Sequence, residues 1–101
     1  MEKNDLILEN GITILDFYAE WCGPCQGLLP IIDELKNEYD SNEFVSIKKI
    51  NVDEHPEIAT NYSVRGIPNL VFIKNGEVIN RMVGSKTKQE IKNFIDEHKP
   101  N

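Results

Sequence analysis

Ile12-Thr13-Ile14-Leu15-Asp16-Phe17-Tyr18-Ala19-Glu20-Trp21-Cys22-Gly23-Pro24-Cys25 is the stretch that decides the fold. Its first eight residues, Ile12 to Ala19, are apolar on both faces, the pattern of a central strand covered on two sides. The reading then changes from strand to helix. From Pro24 to Tyr39, residues Leu28, Ile31, Ile32, Leu35 and Tyr39 fall on one helical face. Pro30 lies inside this helix and should kink it, since it has no N–H to donate and crowds the preceding turn.

Phe44 to Asp53 reads as a second strand, with faces Val45-Ile47-Lys49-Asn51 and Ser46-Lys48-Ile50-Val52. His55-Pro56 opens a short helix, with proline at its favoured first position. Asn69–Lys74 and Glu77–Val83 flank Asn75-Gly76, the strongest short-range signal for a hairpin through a type I′ turn. Thr87-Lys88-Gln89-Glu90 is a capping box and starts a last helix with Ile91, Phe94, Ile95 and His98 on one face. The first half is therefore a right-handed βαβ crossover with parallel strands, and the second half adds an antiparallel hairpin. One mixed sheet flanked by helices satisfies this order, with the strands arranged second, first, third, fourth. We expect a single α/β domain over residues 1–101.

Composition narrows the function. The 101 residues carry a formal charge of -6, which argues against a nucleic-acid footprint and against attraction to an anionic membrane surface. Apolar runs are too short to span a bilayer. Met1 to Asp5 is polar with no apolar segment behind it, so we expect no signal peptide and a cytoplasmic protein.

The two cysteines, Cys22 and Cys25, sit in one motif directly after the first strand. In open α/β sheets this carboxyl end of the strands is where sites form. A disulfide across so short a loop is an inefficient staple, so pairing there points to chemistry. Residues three apart on a helix lie close enough for small rotations to make or break the bond. Cys22 falls at the helix N-terminus, where free N–H groups and the dipole favour a thiolate. Cys25 lies one turn further in, less exposed and more protonated. We therefore expect Cys22 to attack and Cys25 to resolve. A zinc site needs four ligands, and only His55, His98 and scattered carboxylates could complete one. A cysteine–histidine hydrolase needs an oriented histidine; His55 begins a helix and His98 lies near a chain end.

Asp16 interrupts an otherwise apolar strand. Burial should raise its pKa and fit it to accept the Cys25 proton, directly or through a water. The alternative is a polar residue reaching water at a strand end. Lys49 shares a face with Val45 and Ile47 on the neighbouring strand, and Asp16 is its expected anionic partner, unless it snorkels to solvent. In Arg65-Gly66-Ile67-Pro68-Asn69, the residues alone leave the isomer of the Ile67–Pro68 bond open.

Asp16 to Cys25 resembles the active-site strand and loop of the thioredoxin family. So do Lys49-Ile50-Asn51-Val52-Asp53, Gly66-Ile67-Pro68, Asn75-Gly76-Glu77 and Val83-Gly84, and the likeness runs from about Leu6 to His98. It implies a thioredoxin fold and a protein-disulfide reductase that needs no cofactor of its own. It implies that Cys22 is the attacking thiol, Cys25 the resolving thiol and Asp16 the buried base, with Lys49 beside it. Trp21 would flank the reactive sulfur and Pro68 would be a cis-proline packed on the disulfide. Gly23, Pro24, Gly66, Ile67, Val83 and Gly84 would form a flat docking surface, with the Ile67 backbone pairing to an extended substrate strand. The implied partners are disulfide-containing proteins and, as electron donor, a flavin-dependent thioredoxin reductase using NADPH; the implied state is a monomer. Gly-Pro between the cysteines resembles the reducing members. A disulfide oxidase or isomerase, or a binding subunit of a larger complex, is the alternative.

Some residues depart from the family pattern. Gln26 stands where lysine is common, Tyr18 where tryptophan is frequent, and Asn69 where threonine is common. About eleven residues precede the first strand, too few for both a strand and a helix. We expect the family's N-terminal edge strand to be absent or vestigial and Met1 to Asn10 to form mostly a short helix. The second strand would then be an exposed edge, with Lys48 discouraging pairing.

Overall fold

The computed structural model describes residues 6–100. In chain order its elements are β1 (Ile12–Tyr18), α1 (Gly23–Glu38), β2 (Val45–Asn51), α2 (Pro56–Asn61), β3 (Asn69–Lys74), β4 (Glu77–Val83) and α3 (Lys88–His98). The strands form one four-stranded sheet in the order β2-β1-β3-β4. β1 runs parallel to β2 and antiparallel to β3, and β3 pairs antiparallel with β4. Among the described residues β2 and β4 are the edges. Half of the expected N-terminal helix, residues 1–5, lies outside the described residues; the other half corrects the expectation, since only Leu6 is helical and Ile7 to Gly11 are irregular where the chain turns into β1.

Side chains alternate across β1, so the strand feeds two cores. Ile12 and Ile14 point to one side and pack with Leu28, Ile32 and Leu35 of α1, Ile91 and Ile95 of α3, and Leu70 and Phe72 of β3. Leu15 and Phe17 point to the other side, among Ile50, Ile58, Tyr62, Val71, Ile73 and Leu6. Fully burying each such side chain is worth about 1.5–3 kcal/mol. That exceeds by far what helix propensity could add in six-residue α2. The apolar run that marked β1 as central is thus explained by helices on both sides.

Local chemistry fixes the element ends. Thr87 and Glu90 form the reciprocal capping box that starts α3, and Pro56 occupies the first turn of α2. Pro30 lies within α1 without ending it. Asn75 and Gly76 both take positive φ, 51° and 89°, as a type I′ turn requires. That turn also ties down the entrance to β1. The Gly11 N–H donates to Asn75 Oδ1 at 2.8 Å, and the Asn75 N–H donates to the Gly11 carbonyl at 2.9 Å.

Gly11 is required at its position. Its φ is 110°, and a side-chain carbon there would overlap the Phe44 backbone. Gly76 has a similar φ but open space around it. Denaturant unfolding should therefore show Gly11→Ala losing about 2 kcal/mol or more, and Gly76→Ala losing about 1 kcal/mol. Equal losses would mean that the Phe44 contact carries no weight.

Candidate active site

The chain leaves β1 at Tyr18 and turns through Ala19–Trp21 into α1. The Cys22 N–H donates to the Ala19 carbonyl at 3.2 Å, which closes the turn. Cys22 is the N-cap of α1, and its sulfur accepts from the Cys25 N–H at 3.3 Å. Pro24 sits in the first turn, where its missing N–H costs nothing. The two cysteines form a disulfide with Cα atoms 5.3 Å apart, inside the range a relaxed bridge takes. Cys22 is 6% exposed and Cys25 is 1% exposed, so the inner cysteine is the more deeply covered. Gln26 does more than remove a charge from this loop. Its Nε2 donates to the Ala19 and Glu20 carbonyls, at 3.3 Å each, and pins the turn before the cysteines.

A second segment closes on the disulfide from the other side. The Ile67–Pro68 peptide is cis. The Ile67 carbonyl oxygen lies 3.9 Å from Cys22 Sγ. The Gly84 N–H donates to the Pro68 carbonyl at 2.9 Å, and Gly66 faces the Val83 side chain. Three separated parts of the chain are thus joined: Gly23-Pro24 between the cysteines, Gly66-Ile67-Pro68 through the Ile67 carbonyl near Cys22, and Val83-Gly84 through its contacts with Gly66 and Pro68. Trp21, at 71% exposed, and Val83, at 56%, stand out of this surface. Trp21 is nonetheless held, because its Nε1 donates to Asp53 Oδ2 at 2.9 Å. Beside it a shallow pocket of about 220 Å³ is lined by Trp21, Val52, Ala59, Val64, Arg65 and Ile67.

Asp16 lies in the middle of β1 and is fully buried, and among the described residues neither carboxyl oxygen has a hydrogen-bond partner. It does not reach water at a strand end. Burial is the largest influence on it and pushes its pKa up to about 7; the Lys49 charge pulls it down, and Asp33 pushes it up further. A carboxyl with that value changes protonation at neutral pH.

Lys49 lies on the face the sequence predicts, but its ammonium follows the alternative reading and reaches toward solvent. It is the β2 register partner of Asp16, but its ammonium pairs with Asp33 of α1 at 2.9 Å. The Lys49 side chain is 31% exposed, so its head sits at the rim in partial water. A lone buried ion pair is expensive, whereas a rim pair keeps the ammonium hydrated. Asp33 and Asp53 are therefore site neighbours with no role in the sequence reading. Asp53 could have been noticed, since it closes the Lys49-to-Asp53 segment that carries the resemblance. Nothing in the helix pattern marks Asp33, an ordinary polar position of α1. Both histidines are engaged elsewhere: His98 stacks on Phe94, and His55 faces Glu57.

Comparison with known proteins bears on this arrangement. Residues 2–97 match the family model for thioredoxin. The chain is 40% identical over 96 residues to a thioredoxin of Chlorobaculum thiosulfatiphilum, covering 95% of this chain and 87% of that one. It is 39% identical over 97 residues to a thioredoxin of Chlamydia caviae, covering 96% and 92%. A solved structure of a mutant thioredoxin from Halobacterium salinarum superposes with a TM-score of 0.83 at 35% identity, covering 96% of this chain and 82% of that one. With the cysteine pair in bonding position, the chain is a thiol–disulfide oxidoreductase that reduces disulfides in other proteins. It belongs to the thioredoxin family.

Proposed function

We propose that Cys22 is the attacking thiol, Cys25 the resolving thiol and Asp16 the base between them. The Cys22 thiolate attacks one sulfur of a substrate disulfide. That bond breaks, a mixed disulfide forms on Cys22, and the released substrate thiolate takes a proton. Asp16 then accepts the Cys25 proton, and the Cys25 thiolate attacks Cys22 Sγ. The Cys22–Cys25 disulfide forms as the second substrate sulfur leaves and is protonated. Two electrons pass from the cysteine pair to the substrate; of the two protons the substrate sulfurs take up, one balances the proton that Asp16 removed from Cys25 and the other comes from solvent. The observation that carries this reading is the Cys22 sulfur at the N-cap of α1, accepting an N–H, with Cys25 covered beneath it. The N-terminal end of the helix favours negative charge on the outer sulfur.

Their positions near the disulfide support roles for the other site residues. Trp21, Gly23, Pro24, Gly66, Ile67, Val83 and Gly84 form the docking surface, and Pro68 packs beside the disulfide. The backbone of Ile67, close to Cys22, offers hydrogen bonds to an extended substrate segment. Lys49 contributes its charge to Asp16. We assign the chain as a single-domain cytoplasmic monomer, re-reduced by a flavin-dependent thioredoxin reductase with NADPH. No helix of the described residues is long and apolar enough to cross a membrane.

A trapping experiment tests the division of labour. Cys25→Ser should accumulate mixed disulfides through Cys22, and Cys22→Ser should lose turnover. If Cys25→Ser traps nothing while Cys22→Ser still turns over, the roles are reversed or wrong.

Asp16 gives a second test with a definite sign. Its pKa rises from 3.8 to about 7 on folding. Between those values the folded chain holds a proton that the unfolded chain releases, so stability falls as pH rises through that window. Asp16→Asn should therefore unfold at higher denaturant than the parent at pH 8, by up to about 4 kcal/mol, with the gain vanishing near pH 4. The same variant should slow resolution of the mixed disulfide roughly tenfold or more at neutral pH. A stability difference that is flat in pH would show that Asp16 is not buried as a titrating acid.

A further inference from the structure

Asp16 and Lys49 are partners on adjacent parallel strands, so their side chains leave the sheet on the same side, about 4.8 Å apart at the backbone. The Lys49 stem is long enough to bring its ammonium over the Asp16 carboxyl. It does not: the ammonium lies 2.9 Å from Asp33 Oδ1, and among the described residues neither Asp16 oxygen has a hydrogen-bond partner. Asp33 stands on α1, about two turns beyond Cys25. With Asp33 55% exposed, this ion pair contributes little to stability. Its effect on Asp16 is a different matter. Asp16 is fully buried, so a change in the position of one nearby charge is poorly screened.

We infer that Asp33 is a positioning residue for the exchange reaction: by holding the Lys49 ammonium at the rim it keeps Asp16 able to hold and pass on the Cys25 proton. This rests on the reading of Asp16 as the base. The groups on the Asp16 face are few. β2 brings Lys49, α1 brings Asp33 and Cys25, β1 itself brings Tyr18, and β3 brings the apolar Leu70. α3 packs on that side of the sheet with Ile91, Ile95 and Phe94, and its charged residues Lys88, Lys92 and Asp96 are engaged with Glu34, Glu38 and Tyr39 at the far end of α1. Lys49 is the cation that acts on Asp16, and among the described residues its ion-pair partner is Asp33. While that bond holds, the carboxylate form of Asp16 is only weakly favoured. When it is released, the ammonium is free to approach Asp16 and stabilise the carboxylate. The freed carboxylate would then be a weaker base toward Cys25.

The test follows the Asp16 carboxyl by carbon NMR through a pH titration of the oxidised protein. In parallel, mixed-disulfide resolution is timed against pH. Asp33→Asn should move the Asp16 midpoint down by about one pH unit and shift the acidic limb of the resolution profile the same way. Asp33→Glu should keep both near the parent values. In a Lys49→Met background, Asp33→Asn should produce only a small part of that shift. An equal shift with and without Lys49 would overturn the proposal, since Asp33 would then act only as a direct charge. So would an unmoved midpoint in Asp33→Asn. If Asp16→Asn leaves the resolution profile unaltered, the base assignment fails on its own, and the NMR midpoint still reports on Asp33.

Discussion

A carboxyl group that none of the described residues hydrogen-bonds sits at the centre of the sheet. Asp16 is tolerated there because β1 is held between two other strands and covered on both faces, so the strand cannot slide to bring the side chain to water. Removing a carboxylate from water without a partner is unfavourable by several kcal/mol, and the group responds by keeping its proton. The core does not merely surround this residue. The same burial that makes β1 the central strand sets the acidity of the carboxyl on the strand that leads to the cysteines, so stability is given up at the residue we propose as the base.

The remainder of the site is made from chain ends rather than from strand interiors. β1 delivers Trp21 and Cys22, the approach to β3 delivers Ile67 and Pro68, and the exit of β4 delivers Val83 and Gly84. All three lie at one end of the sheet because β3 and β4 run antiparallel, which places the start of β3 beside the end of β4. β3 in turn runs antiparallel to β1, which places its start beside the end of β1. The backbone bond from Gly84 to Pro68 and the approach of the Ile67 carbonyl to Cys22 complete the closure. A surface built this way is flat and partly apolar. It suits a partner protein better than a small molecule, for which a deep enclosed cavity is the usual answer.

The fold was legible because each local signal agreed with the others. The two-faced apolar run at Ile12–Ala19, the one-sided helix after Pro24, the Asn75-Gly76 turn and the Thr87 cap all point to one sheet order, the order observed. The strand read as Phe44 to Asp53 is shorter in the structure, Val45–Asn51, since side-chain alternation marks a strand's middle better than its ends. Lys49 was half legible. Its face was right, because pleating follows from residue number alone. Its partner was left between Asp16 and a reach toward solvent, and the second holds, because a four-carbon stem can reach either a neighbouring strand or the helix packed above, and hydration favours the rim.

By itself the sequence determined the elements, their order, the pairing of the two cysteines at a helix entrance and the presence of a carboxyl on the strand that leads to them. These depend on periodicity, turn chemistry and spacing, which are properties of neighbours along the chain. Only the tertiary structure decided the cis geometry of Ile67–Pro68 at the disulfide, the hold of Asp53 on Trp21 and the pairing of Lys49 with Asp33. Each of these joins residues far apart in number. Their meeting is set by how α1 and the loops pack on the sheet, and no local pattern along the chain records that.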